Sequence, residues 1–251
     1  MNGLLALDFP PISHLTIWRD LGGGINKTVL IYFLAVVLTL LLFFIAGAQK
    51  KMVPTGVQAI AESSVDFVRN QIIMPTMGVD GLGYLPFLTT MFFFILFSNL
   101  TEIIPGIQFP ANARIAMPLV LALLVWVIFN VVGIAKQGLH YFTGIAFPPG
   151  VPWPLYALVT PIEIVSVFFV RPLSLSVRLF ANMLAGHLIL VTFAVLCAAL
   201  WTLKVNLVIL PFTFTLLVAM TGFELLVGFL QAFIFTILTA VYIGSSLHPE
   251  H

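Results

Sequence analysis

Apolar residues in this chain come in long unbroken runs, without the alternation of a half-buried strand or the narrow stripe of a surface helix. Residues 28–49, 81–101 and 115–135 form stretches of 22, 21 and 21 residues that hold no Asp, Glu, Lys or Arg. A hydrocarbon layer of about 30 Å needs about 20 helical residues and charge is costly inside it, so each stretch predicts one membrane crossing. Further runs at 137–162, 179–203, 205–223 and 225–249 are interrupted only by Glu163, Arg171, Arg178, Lys204 and Glu224. Val53 to Met77 differs, because Gln58, Glu62, Asp66, Arg69 and Asn70 interleave with apolar residues at helical spacing. That is the pattern of a helix lying along the membrane surface. Pro54 suits its start; Pro75, Gly78, Gly81 and Gly83 suit its end and return the chain to the bilayer near Tyr84.

The sequence FPPGVPWP at 147–154 is incompatible with helix interior. After it, residues 155–200 contain two prolines, Pro161 and Pro172, the second directly after a charge. Forty-six helical residues would measure roughly 69 Å, about twice the hydrocarbon thickness. Either a hairpin turns at Arg171-Pro172, or a single long helix is kinked and steeply tilted. Residues 206–247 repeat the problem, with Pro211 near their start, and two overlong neighbours favour a tilted pair. The pattern therefore predicts an all-α integral membrane protein with about five membrane-embedded helices plus an amphipathic surface helix, the last two helices long and strongly tilted. Its parts are an N-terminal segment 1–27, a span at 28–48, the surface helix 54–76, spans at 84–103 and 115–136, and long helices at 155–200 and 206–247, all within one membrane domain, 1–251. Residues 1–27 carry Asp8, Arg19 and Asp20 and lack the layout of a removable signal peptide, so the first span is expected to stay as an anchor.

Composition agrees: 61% of the residues are hydrophobic and 8% charged, against about a quarter charged in a soluble domain. A water-soluble globule is excluded. The net charge of +1 leaves neither a basic surface for nucleic acid nor an acidic disordered tail. Charge does not set orientation either, since Lys50, Lys51, Arg69 and Lys136 on one side balance Arg19, Lys27, Arg114 and Lys204 on the other. Cys197 stands alone, so no disulfide or cysteine metal site forms within the chain, and no metal or cofactor is expected. HExxH, Gly-x-Ser-x-Gly and GxxxxGK[ST] are all missing, so the chain by itself is not expected to be an enzyme or to bind nucleotide.

Arg178 is the leading candidate for function, because a mid-membrane arginine costs about 3 kcal/mol on insertion scales and ~10 kcal/mol or more in simulations of isolated helices. It lies seven residues past Arg171 and is followed by 25 uncharged residues. At roughly 100° per residue, Arg171, Ser174, Arg178, Asn182 and Ala185 fall within about 40° of one line. Such a polar, small strip admits another helix closely and offers it a cation, so the expected partner carries a carboxylate. Glu163 is 15 residues from Arg178, about 22 Å along a continuous helix, too far to be the counter-ion. Glu224 heads a stripe with Gly228, Gln231 and Tyr242 that looks built to line something, and His187 projects about 180° away from the arginine strip. His187 and Glu224 facing each other would make a proton relay. Blander readings stand beside these: Arg171 snorkelling to lipid phosphates, Glu163 as an interfacial carboxylate, His187 as a packed histidine, and Asn99 and Glu102 as solvated residues at a span end.

SLSVRLFANMLAGH at 174–187 and QAFIFTILTAVYI at 231–243, with VPTGVQ at 53–58 and SNLTEIIP at 98–105, resemble subunit a of the bacterial F-type ATP synthases over nearly the whole chain. The resemblance implies a surface helix after the first span and two long tilted helices curving against a rotating ring of c subunits. It implies that Arg178 is the essential cation facing each passing c-subunit carboxylate and separating two aqueous half-channels. Protons would enter along Glu224, His187, Asn182 and Gln231 and leave past Glu163 and Ser166, with Arg171, Ser174, Tyr242, Asn99 and Glu102 in support. Some members of that family carry Glu where this chain has His187, and His where it has Glu224, so the acid and imidazole are exchanged here. The implied partners are the c-ring, b-type peripheral-stalk subunits, the rest of the complex and the lipid bilayer, with no nucleic acid. The implied location is the bacterial cell (inner) membrane, crossed several times. Two other classes fit less well. A self-contained secondary transporter would need an acid for Arg178 within the chain and shows internal repeats, which are not evident here; a membrane scaffold leaves Arg178 unexplained.

Overall fold

The computed structural model describes residues 26–49, 51–104, 109–138, 140–147, 152–202 and 209–247. Expectations placed on 1–25, on Lys204, on the middle of the 147–154 loop and on the first residues of 206–247 lie outside them. Five helical runs are long and apolar enough to cross a membrane: Lys27–Ala48, Val57–Leu100, Ala116–Gln137, Tyr156–Trp201 and Leu210–Leu247. No strand occurs among the described residues.

Helix α1 (Lys27–Gln49) starts at Asn26, whose Oδ1 accepts from Val29 N at 3.1 Å and satisfies one open donor of the first turn. Helix α2 (Val57–Phe67) is tied to the preceding segment by Gln58, which accepts from Lys51 N at 3.2 Å and donates to Lys51 O at 2.9 Å. The helical path then runs through a π-helical segment (Val68–Ile73), α3 (Met74–Met77) and a 3₁₀ segment (Gly78–Tyr84) into α4 (Leu85–Leu100). Pro75 therefore does not end the helix. The turn comes at Gly78, whose φ of 63° is a conformation glycine adopts without steric cost.

A 3₁₀ turn (Ala111–Ala113) leads into α5 (Ala116–Gln137) and the short α6 (His140–Ala146). Another 3₁₀ turn (Trp153–Leu155) opens a run made of α7 (Tyr156–Val165), a π-helical segment (Ser166–Val170) and α8 (Arg171–Thr202). The chain passes through Arg171-Pro172 as helix, with no hairpin. Both π segments end two residues before a proline, Pro75 and Pro172. Met74 N reaches back to Arg69 O, and Arg171 N reaches back to Ser166 O, each five residues away. Widening the turn there relieves the clash between a proline ring and the carbonyl four residues earlier. The last element, α9 (Leu210–Leu247), packs against α4, α5 and α8.

The composition of one side of α9 lets it pack against these neighbours. Its buried side is small and hydroxylic, including Gly228, Ala232, Thr236, Thr239, Ala240 and Gly244. Thr236 and Thr239 return their hydroxyls to Ala232 O and Phe235 O, both at 2.8 Å, so neither hydroxyl is stranded in the apolar interior. Phe67, Phe92, Phe229 and Phe233 fill the junction of α2, α4 and α9, with Phe67 5.7 to 6.0 Å from each of the other three rings. At Gly244 an added Cβ would stand 2.8 Å from Thr76 O, a backbone atom that has no rotamer to escape into. Gly244→Ala is expected to destabilise the protein by about 1–3 kcal/mol. Gly47→Ala on α1, where nothing lies within 4 Å of an added Cβ, should be neutral or stabilising by up to ~1 kcal/mol. Thermal midpoints in detergent check the contrast.

Candidate functional site

Helices α8 and α9 run antiparallel and are pinned at two levels. The Arg171 guanidinium lies 5.3 Å over the Tyr242 ring, and Asn182 Nδ2 donates to Gln231 Oε1 at 2.7 Å. Eleven residues separate the two levels on each helix, so the register holds over about 16 Å. Arg178 lies between the pins. Leu175, Leu179 and Met183, on the inward side of α8, are at most 2% exposed, while Ser174, Arg178, Asn182 and Ala185 are exposed at the chain's own surface. Arg178 has no hydrogen bond or ion pair among the described residues. Arg171 departs from that strip: it is half-buried and turned toward α9.

Beyond Arg178, toward the α8 C-terminus, a cavity of about 340 Å³ opens between α8 and α9, with Asn182, Gly186, Glu224 and Gln231 among its lining residues. Glu224, 5% exposed, packs against Gly186, where any Cβ would run into its carboxylate. The glycine at that crossing leaves the space the acid occupies, and a Cβ there would make the carboxylate move. The expected facing of His187 and Glu224 is not what forms. His187 Nδ1 instead meets Glu102 Oε1 at 3.0 Å. Glu102 is thus no solvated span-end carboxylate: it and Asn99 are each 2% exposed. The reason is that the turn after α4 folds inward, with Glu102 N bonded to Asn99 O at 3.2 Å. Glu102 Oε2, Glu224 Oε1 and Gln231 Nε2 are buried without a hydrogen-bond partner in the described structure. Asn99 is fixed by donating to Gly228 O at 3.0 Å and accepting from Asn112 Nδ2 at 2.7 Å.

On the other side of Arg178, Arg171 Nη2 reaches Glu163 Oε1 at 3.2 Å across the π-helical turn that contains half-buried Ser166. Arg171 is therefore held by an acid and an aromatic ring, in place of the expected snorkelling, and Glu163 is paired. Tyr141 joins this end: its ring lies on Gly133 and its hydroxyl donates to Asn130 Oδ1 at 3.2 Å. Burial holds that phenol above its usual range, so it remains a donor. Gln137 Nε2 donates to Ser246 O at 2.9 Å and secures the end of α9. No group of three or more His, Cys, Asp or Glu side chains suited to a metal occurs among the described residues.

Several of these participants carry no sequence signal. Asn112 sits in PANAR between two spans, where an asparagine after a proline reads as turn chemistry. Gly186 and Asn130 look like ordinary helix residues until their neighbours are known. Glu102 was visible as an acid next to an apolar run, but its inward turn was not.

Comparison with known proteins bears on the arrangement as a whole. The family described as "ATP synthase A chain" matches residues 29–244. ATP synthase subunit a of Frankia alni is 42% identical over 247 residues, covering 93% of this chain and 83% of that protein. Its counterpart from Rhodococcus erythropolis is 43% identical over 90% of this chain and 84% of its own length. That of Nitrobacter hamburgensis is 44% identical, with 86% of each chain covered. A multi-pass helical membrane protein with this coverage and identity belongs to the ATP synthase A chain family.

Proposed function

We propose that this chain is the proton-conducting stator of the ATP synthase membrane sector, and that Arg178 is the fixed cation its moving partner passes. The observation that carries the reading is a guanidinium on an outward strip of small and polar residues, free of any acid within the described residues, between two separate polar clusters. Lipid would be a poor neighbour for that strip, and a partner helix bearing a carboxylate would complete it. The family resemblance supplies the partner as a ring of c subunits, with b-type subunits and the rest of the complex holding the chain still.

Protons enter through the cavity lined by Glu224, Asn182 and Gln231, with His187 and Glu102 as the paired groups behind it. Three buried polar atoms there lack partners among the described residues, and each such atom costs about 1–3 kcal/mol unless water or a proton satisfies it. Protons leave past Glu163 and Ser166, where Arg171 and Tyr242 hold the acid in place. A ring carboxylate beside Arg178 stays ionised and takes up a proton before it faces lipid. A proton attempting to cross directly from one cluster to the other meets the fixed positive charge. Each proton delivers about 2.3 kcal/mol per 100 mV of potential, so several must be summed by rotation before chemistry elsewhere is driven. Nucleotide chemistry belongs to other subunits.

In vesicles holding the whole complex, Arg178→Ala is expected to abolish proton-driven ATP synthesis; retained synthesis sinks the stator reading. A secondary transporter would instead keep the variant competent for an unassisted solute gradient. Replacing His187 and Glu224 together by leucine should stop proton uptake, and Glu102→Leu alone should slow it by about tenfold or more, as befits loss of a charge-assisted partner. Passive proton flux near the unmodified level in either variant refutes the inlet.

A further inference from the structure

We propose that Asn112 is the positioning residue of the proton inlet, setting where Glu102 meets His187 and how it stands relative to Glu224. This rests on the inlet reading above. Asn112 lies in the 3₁₀ turn between α4 and α5 and is completely buried. Its amide bonds to side chains from two other segments. Nδ2 donates to Ser98 Oγ at 2.9 Å and to Asn99 Oδ1 at 2.7 Å, both at the end of α4. Oδ1 accepts from the Tyr32 hydroxyl of α1 at 3.0 Å, and the same hydroxyl donates to Ala111 O at 2.8 Å. Asn99 then passes the restraint to α9 by donating to Gly228 O, one turn from Glu224.

The residues Asn112 holds are the ones that hold Glu102. Glu102 N bonds to Asn99 O, and Thr101 Oγ1 donates to Ser98 O at 2.7 Å. The turn presenting Glu102 therefore hangs from the backbone carbonyls of the two residues whose side chains Asn112 clamps. An apolar residue there would leave the buried Asn99 Oδ1 without its donor, so the amide fixes how the end of α4 stands as well as satisfying it. The ionisable groups around Glu102 are His187 from α8 and Glu224 from α9. Arg114 stands near Tyr32, and Lys27 lies 5.6 Å from the Phe109 ring, beside the same turn.

The test measures passive proton flux per assembled complex, across pH, in vesicles containing the complete ATP synthase. Asn112→Asp keeps the shape and the acceptor for Tyr32 but removes both donors; Asn112→Ala removes all three bonds. Each is expected to lower flux about tenfold. Each should also move the flux profile to higher pH, because Glu102 without its imidazole partner releases a proton less readily. Tyr32→Phe removes the hydroxyl shared by Asn112 Oδ1 and Ala111 O, leaves both Asn112 donors in place, and should cost about twofold. Wild-type flux per complex with an unshifted profile in both Asn112 variants overturns the proposal, even if less complex assembles, because that is the signature of a role in folding alone. If neither Asn112 variant assembles, Tyr32→Phe decides on the same two readouts. Glu102→Leu, measured alongside, separates the two levels of the argument. Loss of flux there with normal Asn112 variants removes only the positioning role, whereas normal flux in Glu102→Leu removes the inlet itself.

Discussion

A guanidinium on a helical run long and apolar enough to cross a membrane, with no acid bonded to it among the described residues, is the constraint that orders the rest of this structure. A charge there is tolerated only when something offsets it, and within the described residues nothing is bonded to Arg178. The chain spends its own acids elsewhere: Glu163 on Arg171, Glu102 on His187, and Glu224 in the cavity against Gly186. Keeping those three acids away from Arg178 is what leaves the arginine available to an outside carboxylate.

The fold achieves this separation with backbone devices as much as with side chains. Helix α8 continues past Pro172 only because the preceding turn opens to a π register, and that same turn brings Glu163 within reach of Arg171. Two contacts eleven residues apart then fix α8 against α9. With the register set, the inward side of α8 is buried at Leu175 and Leu179 and the outward side shows Arg178. Close approach at Gly186 and Gly244 lets α9 lie near its neighbours without displacing Glu224 or the backbone at Thr76.

The number of spans was legible because uncharged runs of about 20 residues have few other uses. The strip containing Arg178 was legible too, since helical spacing alone collects Ser174, Arg178, Asn182 and Ala185 on one side. What pairing data the sequence lacked concerned partners distant along the chain. His187 and Glu224 looked matched because both are titratable residues on the last two helices, but Glu102, 85 positions before His187, takes the contact. Prolines misled in the other direction: Pro75 reads as a stop, yet a π turn absorbs it. Asn112 was invisible because a turn asparagine and a buried hub have the same local sequence.

A density map of the assembled membrane sector, resolving side chains along α8, tests the central claim most directly. The account predicts a carboxylate from a different polypeptide within about 4 Å of the Arg178 guanidinium, or facing it across one water, with polar clusters on either side of that contact. Arg178 bound to an acid of its own chain, or directed into the headgroup region, would contradict it.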